Sequence, residues 1–93
     1  MLFEWDDNKE KINIKKHKIS FKIARRVFDD DNRLEIFDDE HSEYEDRYIT
    51  IGLINDIPMI VMVSYTERGE RVRIISARKA TPQERRQYYE SLL

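Results

Sequence analysis

The chain has 93 residues, 40% hydrophobic and 39% charged, with a formal net charge of −2. That is the size of one domain, taken as residues 1–93, with a modest core under a heavily ionic surface. Cysteine is absent, which excludes disulfides, thiolate metal sites and a thiol nucleophile and agrees with a reducing compartment.

The opening "MLFEWDDNKEK" lacks the basic start and apolar run of a secretory signal. "LFEW" reads as a short edge strand. Asp7 with Glu10 three residues on matches a capping box and predicts that a helix starts there. Ser20 opens "SFKIARRVF", where Phe21, Ala24, Val27 and Phe28 gather on one helical face, a second short amphipathic helix. "DDDN" breaks it, and "RLEIFD" reads as a strand. "DEHSEYED" is a polar connection, followed by "RYITIGLI", whose alternation of Ile49, Ile51 and Leu53 against Tyr48, Thr50 and Gly52 predicts a half-buried strand. Asn55-Asp56 is expected as a two-residue hairpin turn. "IPMIVMVSYT" reads as the central strand, buried on both faces, with Pro58 at its start. Its apolar run is too short to cross a bilayer, and a soluble cytoplasmic protein is expected. "ERGE" turns on Gly69, "RVRIISARKA" is the last strand, and Thr81-Pro82-Gln83-Glu84 is a capped start for a final helix. That helix carries Tyr88, Tyr89, Leu92 and Leu93 as its apolar patch. The order β-α-α-β-β-β-β-α predicts an α+β fold: a small antiparallel sheet with two N-terminal helices and one C-terminal helix.

Charge is unevenly spread. Asp29 to Asp46 holds ten acids and one base, Arg33, a net of −9 that leaves +7 for the rest. The acidic stretch is either a solvated loop or a docking site for a basic partner. There is no Gly-rich phosphate loop, no His/Cys zinc pattern, no calcium-loop order and no Gly-x-Ser-x-Gly.

What remains is a basic set. "KKHK" puts Lys15, Lys16, His17 and Lys18 at the end of the first helix. Cations there favour the helix dipole without any function, but an imidazole among them is a usable general base near neutral pH. His41, among carboxylates, reads as a solvated loop residue. A second set is Arg68, Arg71, Arg73, Arg78 and Lys79. Arg68 and Arg71 fit exposed turn ends, and Arg73 fits pairing with Glu45 or Asp46. Arg78 fits less easily. With a period of two, Val72, Ile74, Ser76 and Arg78 share one face and Arg71, Arg73, Ile75, Ala77 and Lys79 the other. Arg78 thus stands where the core pattern calls for a hydrophobe, and a guanidinium there could clamp a phosphate. Trp5 belongs either to the core, the commoner fate, or to a base-stacking surface.

Three stretches, "FEWDDNKEKINIKKHKISF", "EDRYITIG" and "YTERGERVRIISARKAT", resemble the BrnT family of type II toxins, which share the RelE-like fold. The resemblance covers nearly the whole chain. Its most specific pieces are the Trp-Asp start, Asn13-x-x-Lys16-His17, and Arg73 to Arg78. It implies a metal-independent endoribonuclease that cuts mRNA and arrests translation. It also implies a cognate antitoxin with a ribbon-helix-helix DNA-binding part, DNA being met only through that antitoxin, and no cofactor or membrane. Carried over, the matching positions are Lys16, His17, Ser76 and Arg78 for catalysis, with Arg68 in the preceding turn. Arg73, Lys79 and Trp5 complete the expected RNA-binding set. The family usually has Gly after Lys-His, where this chain has Lys18, and Gly would supply a left-handed helix stop. The competing reading is an inactive module of the same fold that serves its antitoxin as co-repressor.

Overall fold

The computed structural model describes residues 1–93. The chain runs β1 (Leu2–Glu4), α1 (Asp7–His17), α2 (Phe21–Ala24), β2 (Leu34–Phe37), β3 (Arg47–Ile54), β4 (Met59–Arg68), β5 (Arg71–Lys79) and α3 (Pro82–Glu90). Short 3-10 turns lie at Arg25–Asp29 and Asp39–His41. The element order is the one read from the sequence, and the result is a small RelE-like α+β fold. One five-stranded sheet has the order β1-β5-β4-β3-β2. Its pairings are antiparallel except that β1 runs parallel to β5, with Leu2 opposite Arg71 and Glu4 opposite Arg73. No helix is long and apolar enough to cross a membrane.

The sheet buries apolar side chains on both faces, which is why β4 reads as an almost unbroken apolar run. On one face Val61, Val63, Tyr65, Val72, Ile74 and Ala77 meet Ile19, Phe21, Ala24 and Val27 from the α1–α2 region. On the other, Ile51, Ile60 and Met62 meet Tyr88 of α3. β3 is more covered than its alternation predicts: Thr50, Gly52 and Ile54 are buried as well as Ile51. The covering is the 3-10 turn and the loop after it. Asp30 accepts from Leu53 N at 2.8 Å, Tyr88 Oη at 2.6 Å and Asn32 N at 2.9 Å, tying β3, α3 and that loop together.

Helix ends differ in detail from expectation. Asp6, not Asp7, caps α1, accepting from Asn8 N at 2.8 Å and Lys9 N at 3.1 Å. Glu10 does not close a capping box. Its carboxylate reaches the next helix and accepts from Phe21 N at 2.9 Å and Lys22 N at 3.3 Å, where Ser20 also caps Ile23 N. α2 is a single turn that tightens into the 3-10 segment. Thr81 and Glu84 form the expected capping box of α3, with Pro82 at its first turn. Of the apolar patch on that helix only Tyr88 is buried, while Tyr89, Leu92 and Leu93 are exposed.

The β3–β4 connection spans four residues, Asn55 to Pro58, since Ile54 pairs with Met59. Pro58 therefore lies in the turn, where its missing N–H costs no ladder bond. The β4–β5 hairpin is the tight one: Arg68 pairs with Arg71 and Gly69 takes φ +61.

A β-bulge in β5 decides which of its side chains share a face. Ser64 pairs with Ser76 and Tyr65 with Ile74, so Ile75 is an extra residue. The bulge inverts the alternation. Val72, Ile74 and Ala77 all face the helix-covered core, and Arg73, Ser76 and Arg78 share the opposite face. The strict period of two separated Arg73 from Arg78 and set Arg78 on the core side, and the extra residue corrects both.

Candidate active site

α1 is almost wholly solvated; Asn13 is its only buried residue. The reason lies in the length of β1, which stops at Glu4 opposite Arg73 and leaves the outer edge of β5 without a strand beyond that point. The Asn13 side chain takes the strand's place. Its Oδ1 accepts from Ala77 N at 3.1 Å, and its Nδ2 donates to Ala77 O at 2.8 Å and to Ile19 O at 3.0 Å. A buried amide so satisfied fixes the helix against the bulged strand.

The last turn of α1 therefore lies beside the bulge. Lys16 and His17 line a cleft of about 180 Å³ with Asn13, Ile75 and Ser76. Lys18 ends the helix in the left-handed region at φ 61, ψ 27, with its N–H donating to Ile14 O at 2.8 Å. The stop that glycine would provide is thus made by lysine.

A second cleft of about 310 Å³ adjoins the first and shares Ile75 and Ser76 with it. Arg78, Ser64 and Arg47 line it from the sheet, and Asp38 and His41 close it from the turn before β3. Arg78 pairs bidentately with Glu84, Nη1 to Oε1 at 2.7 Å and Nη2 to Oε2 at 3.1 Å, and Nη1 also donates to Lys79 O at 3.2 Å. Three of its five N–H groups are so engaged. Nε–H and the second Nη2–H form the free edge. Burial pushes the Glu84 carboxyl up, but hydrogen bonds from Arg78 and Thr81 N outweigh it and hold Glu84 below the usual carboxylate range.

Lys16, His17 and Ser76 line the first cleft and Ser76 and Arg78 the second, with Ile75 and Ser76 common to both. Arg73 shares the open face with Arg78 but pairs with Glu4 at 2.7 Å, not with Glu45 or Asp46. Glu45 pairs instead with Arg68 at 3.4 Å, at the far hairpin. Lys79 stands opposite Val61, on the other face from Arg78, and is exposed. Trp5 packs edge-on against Phe21 at 6.2 Å between centroids, beside the core. Sequence reasoning missed Arg47, Ser64 and Glu84, treated Asn13 only as a motif letter, and set His41 aside. Asn13 carries no signal in the sequence, being one polar residue in an almost wholly polar helix; only the structure shows that it is buried while Ile12 and Ile14 beside it are exposed.

A polar helix pinned to a bulged strand, with cations, an imidazole and hydroxyls along the join, is what this small α+β fold presents at its two clefts. The family model described as "ribonuclease toxin, BrnT, of type II toxin-antitoxin system" matches residues 5–84. The chain belongs to this family of ribonuclease toxins, whose cognate partner is an antitoxin. No curated protein matches the chain.

Proposed function

We propose that the protein is a metal-independent endoribonuclease that cleaves mRNA in the cytoplasm and arrests translation until its antitoxin binds. The observation that carries this reading is the meeting of Lys16, His17, Ser76 and Arg78 along two clefts with a common wall. Cleavage by the RNA's own 2′-OH needs a proton removed from that oxygen, a proton given to the leaving 5′-oxygen, and charge stabilisation at phosphorus. His17 is the proton-transfer group beside Ser76. Lys16 supports it with charge. Arg78, oriented by Glu84, offers its free Nε–H and Nη2–H edge to the phosphate as a bidentate clamp. Ser76 donates to a phosphate oxygen between them. Arg73 extends the phosphate track on the same face, Arg68 meets the strand farther out, and Lys79 adds positive charge from the sheet's other face. The antitoxin carries a ribbon-helix-helix part, and the complex represses its own operon through that part.

The test is cleavage of RNA by the purified protein in excess EDTA, beside folded Arg78→Ala and His17→Ala. Cleavage by the wild type, lost in both variants, is the expected result. Cleavage that persists in both folded variants overturns the assignment of residues. If no protein cleaves free RNA, growth arrest on expression without the antitoxin marks a ribosome-dependent enzyme, and its absence marks a co-repressor module.

A further inference from the structure

The ribonuclease reading leaves one proton unassigned: His17 serves one oxygen, and the reaction has two. The second cleft holds an imidazole that no part of that reading uses. His41 is in the turn between β2 and β3, and its Nδ1 lies 2.9 Å and 3.1 Å from the two carboxylate oxygens of Asp38. The pair is set firmly. Asp38 N donates to Arg47 O at 2.8 Å, and Ser42 Oγ donates to Asp38 O at 2.6 Å while accepting from Arg47 N at 3.0 Å. The Asp38 side chain is only 12% exposed and that of His41 is 57% exposed. The carboxylate is thus sheltered and the ring is left open to a ligand.

An imidazole whose Nδ1–H is held by a carboxylate has its tautomer fixed and presents Nε2 outward. The groups facing this ring are Asp38 and Arg47, with Arg78 across the cleft on β5. Asp39 and Glu40 share its own turn. In its imidazolium form the ring keeps Nδ1–H on Asp38 and carries its second N–H at Nε2, toward the cleft.

We propose that His41, oriented by Asp38, is the second proton-transfer residue of the ribonuclease and protonates the 5′-oxygen as it leaves. This rests on the ribonuclease reading. The 2′-oxygen gives its proton to His17 and forms the new bond to phosphorus. The bond from phosphorus to the 5′-oxygen breaks, and that oxygen takes the proton from His41 Nε2. The products are a 2′,3′-cyclic phosphate and a 5′-hydroxyl, with no external reactant. Asp38 is a positioning residue.

The test compares an oligoribonucleotide with the same sequence carrying sulfur in place of the bridging 5′-oxygen, with parallel reactions on ribosomes. A thiolate leaves without needing a proton. His41→Ala should slow cleavage of the oxygen-linked RNA by about 10²- to 10⁴-fold and that of the sulfur-linked RNA by less than about tenfold. Asp38→Asn should show the same selectivity more weakly, whereas His17→Ala should slow both substrates. Equal slowing of both substrates by His41→Ala, or none, overturns the proposal while leaving the ribonuclease reading intact. No cleavage by the wild type under any condition overturns both. Circular dichroism melts confirm folding, and His41→Gln replaces the alanine variant if that one unfolds.

Discussion

Asn13 pairs with Ala77 as a neighbouring strand would, accepting from its N–H at 3.1 Å and donating to its carbonyl at 2.8 Å. One side chain thereby joins the polar helix α1 to β5 where β1 has run out. Asn13→Ala strands the Ala77 N–H and the carbonyls of Ala77 and Ile19 in a buried setting. It should lower the unfolding free energy by about 2–3 kcal/mol, read from urea denaturation. Asn13→Asp keeps the acceptor but sets a carboxylate against two carbonyls, so it should be the worse variant at neutral pH and recover in part on acidification.

Lys18→Gly should stabilise the protein. Lys18 is the only non-glycine residue with positive φ, at 61°, and a side chain in that region costs about 1–2 kcal/mol. Glycine removes the strain but gains freedom in the unfolded chain, worth about 0.4–1 kcal/mol. The lost bond from Lys18 Nζ to Lys15 O is exposed and contributes little. A net gain of about 0.5–1 kcal/mol is expected and can be measured by urea titration.

Gly52→Ala should do the opposite. A Cβ there would sit 3.0 Å from Arg33 Cβ and 3.3 Å from both Asp30 Oδ2 and Val27 Cγ1. The neighbours are a backbone-proximal carbon and the carboxylate that ties three elements together, so little can yield. A loss of about 1–3 kcal/mol is expected, with a lower melting temperature as the readout.

Asp30 makes stability sensitive to acid. Burial raises its carboxyl, but donation from Leu53 N, Tyr88 Oη and Asn32 N holds it below the usual Asp range. The folded protein therefore binds this proton less tightly than the unfolded chain. The contribution is fully present above the unfolded value, about 4, and is lost as pH falls through the lower folded value. Asp30→Asn should be less stable at pH 7, and the difference from wild type should shrink below pH 4. Unfolding curves across that range decide it.

Most of the element order was legible because local signals agreed. Gly69 marked the tight hairpin, Thr81 to Glu84 the last helix, and the unbroken apolar run of Met59 to Val63 the central strand. The faces of β5 were not. Val72, Ile74 and Ala77 fit one buried face only if a residue is skipped, and the skip is set by pairing with Ser64 and Tyr65 on another strand. The same holds for His41. Nothing adjacent in the chain distinguishes it from a solvated residue, because its cleft is made by Ser76 and Arg78 more than thirty positions away. Lys16 and His17 could be picked out as chemistry, but not the tether at Asn13 that sets them beside Ser76.

The parallel pairing of β1 with β5 has a temporal consequence. Leu2 to Glu4 is made well before its only strand partner, Arg71 to Arg73, and the Glu4–Arg73 contact spans 69 positions. The tether from Asn13 waits across 64 positions, for Ala77. Such distant closures make for slow folding, and they wait until β5 has been made. A nascent chain halted anywhere before β5 lacks the wall that both clefts share, so neither cleft exists until that strand has been made.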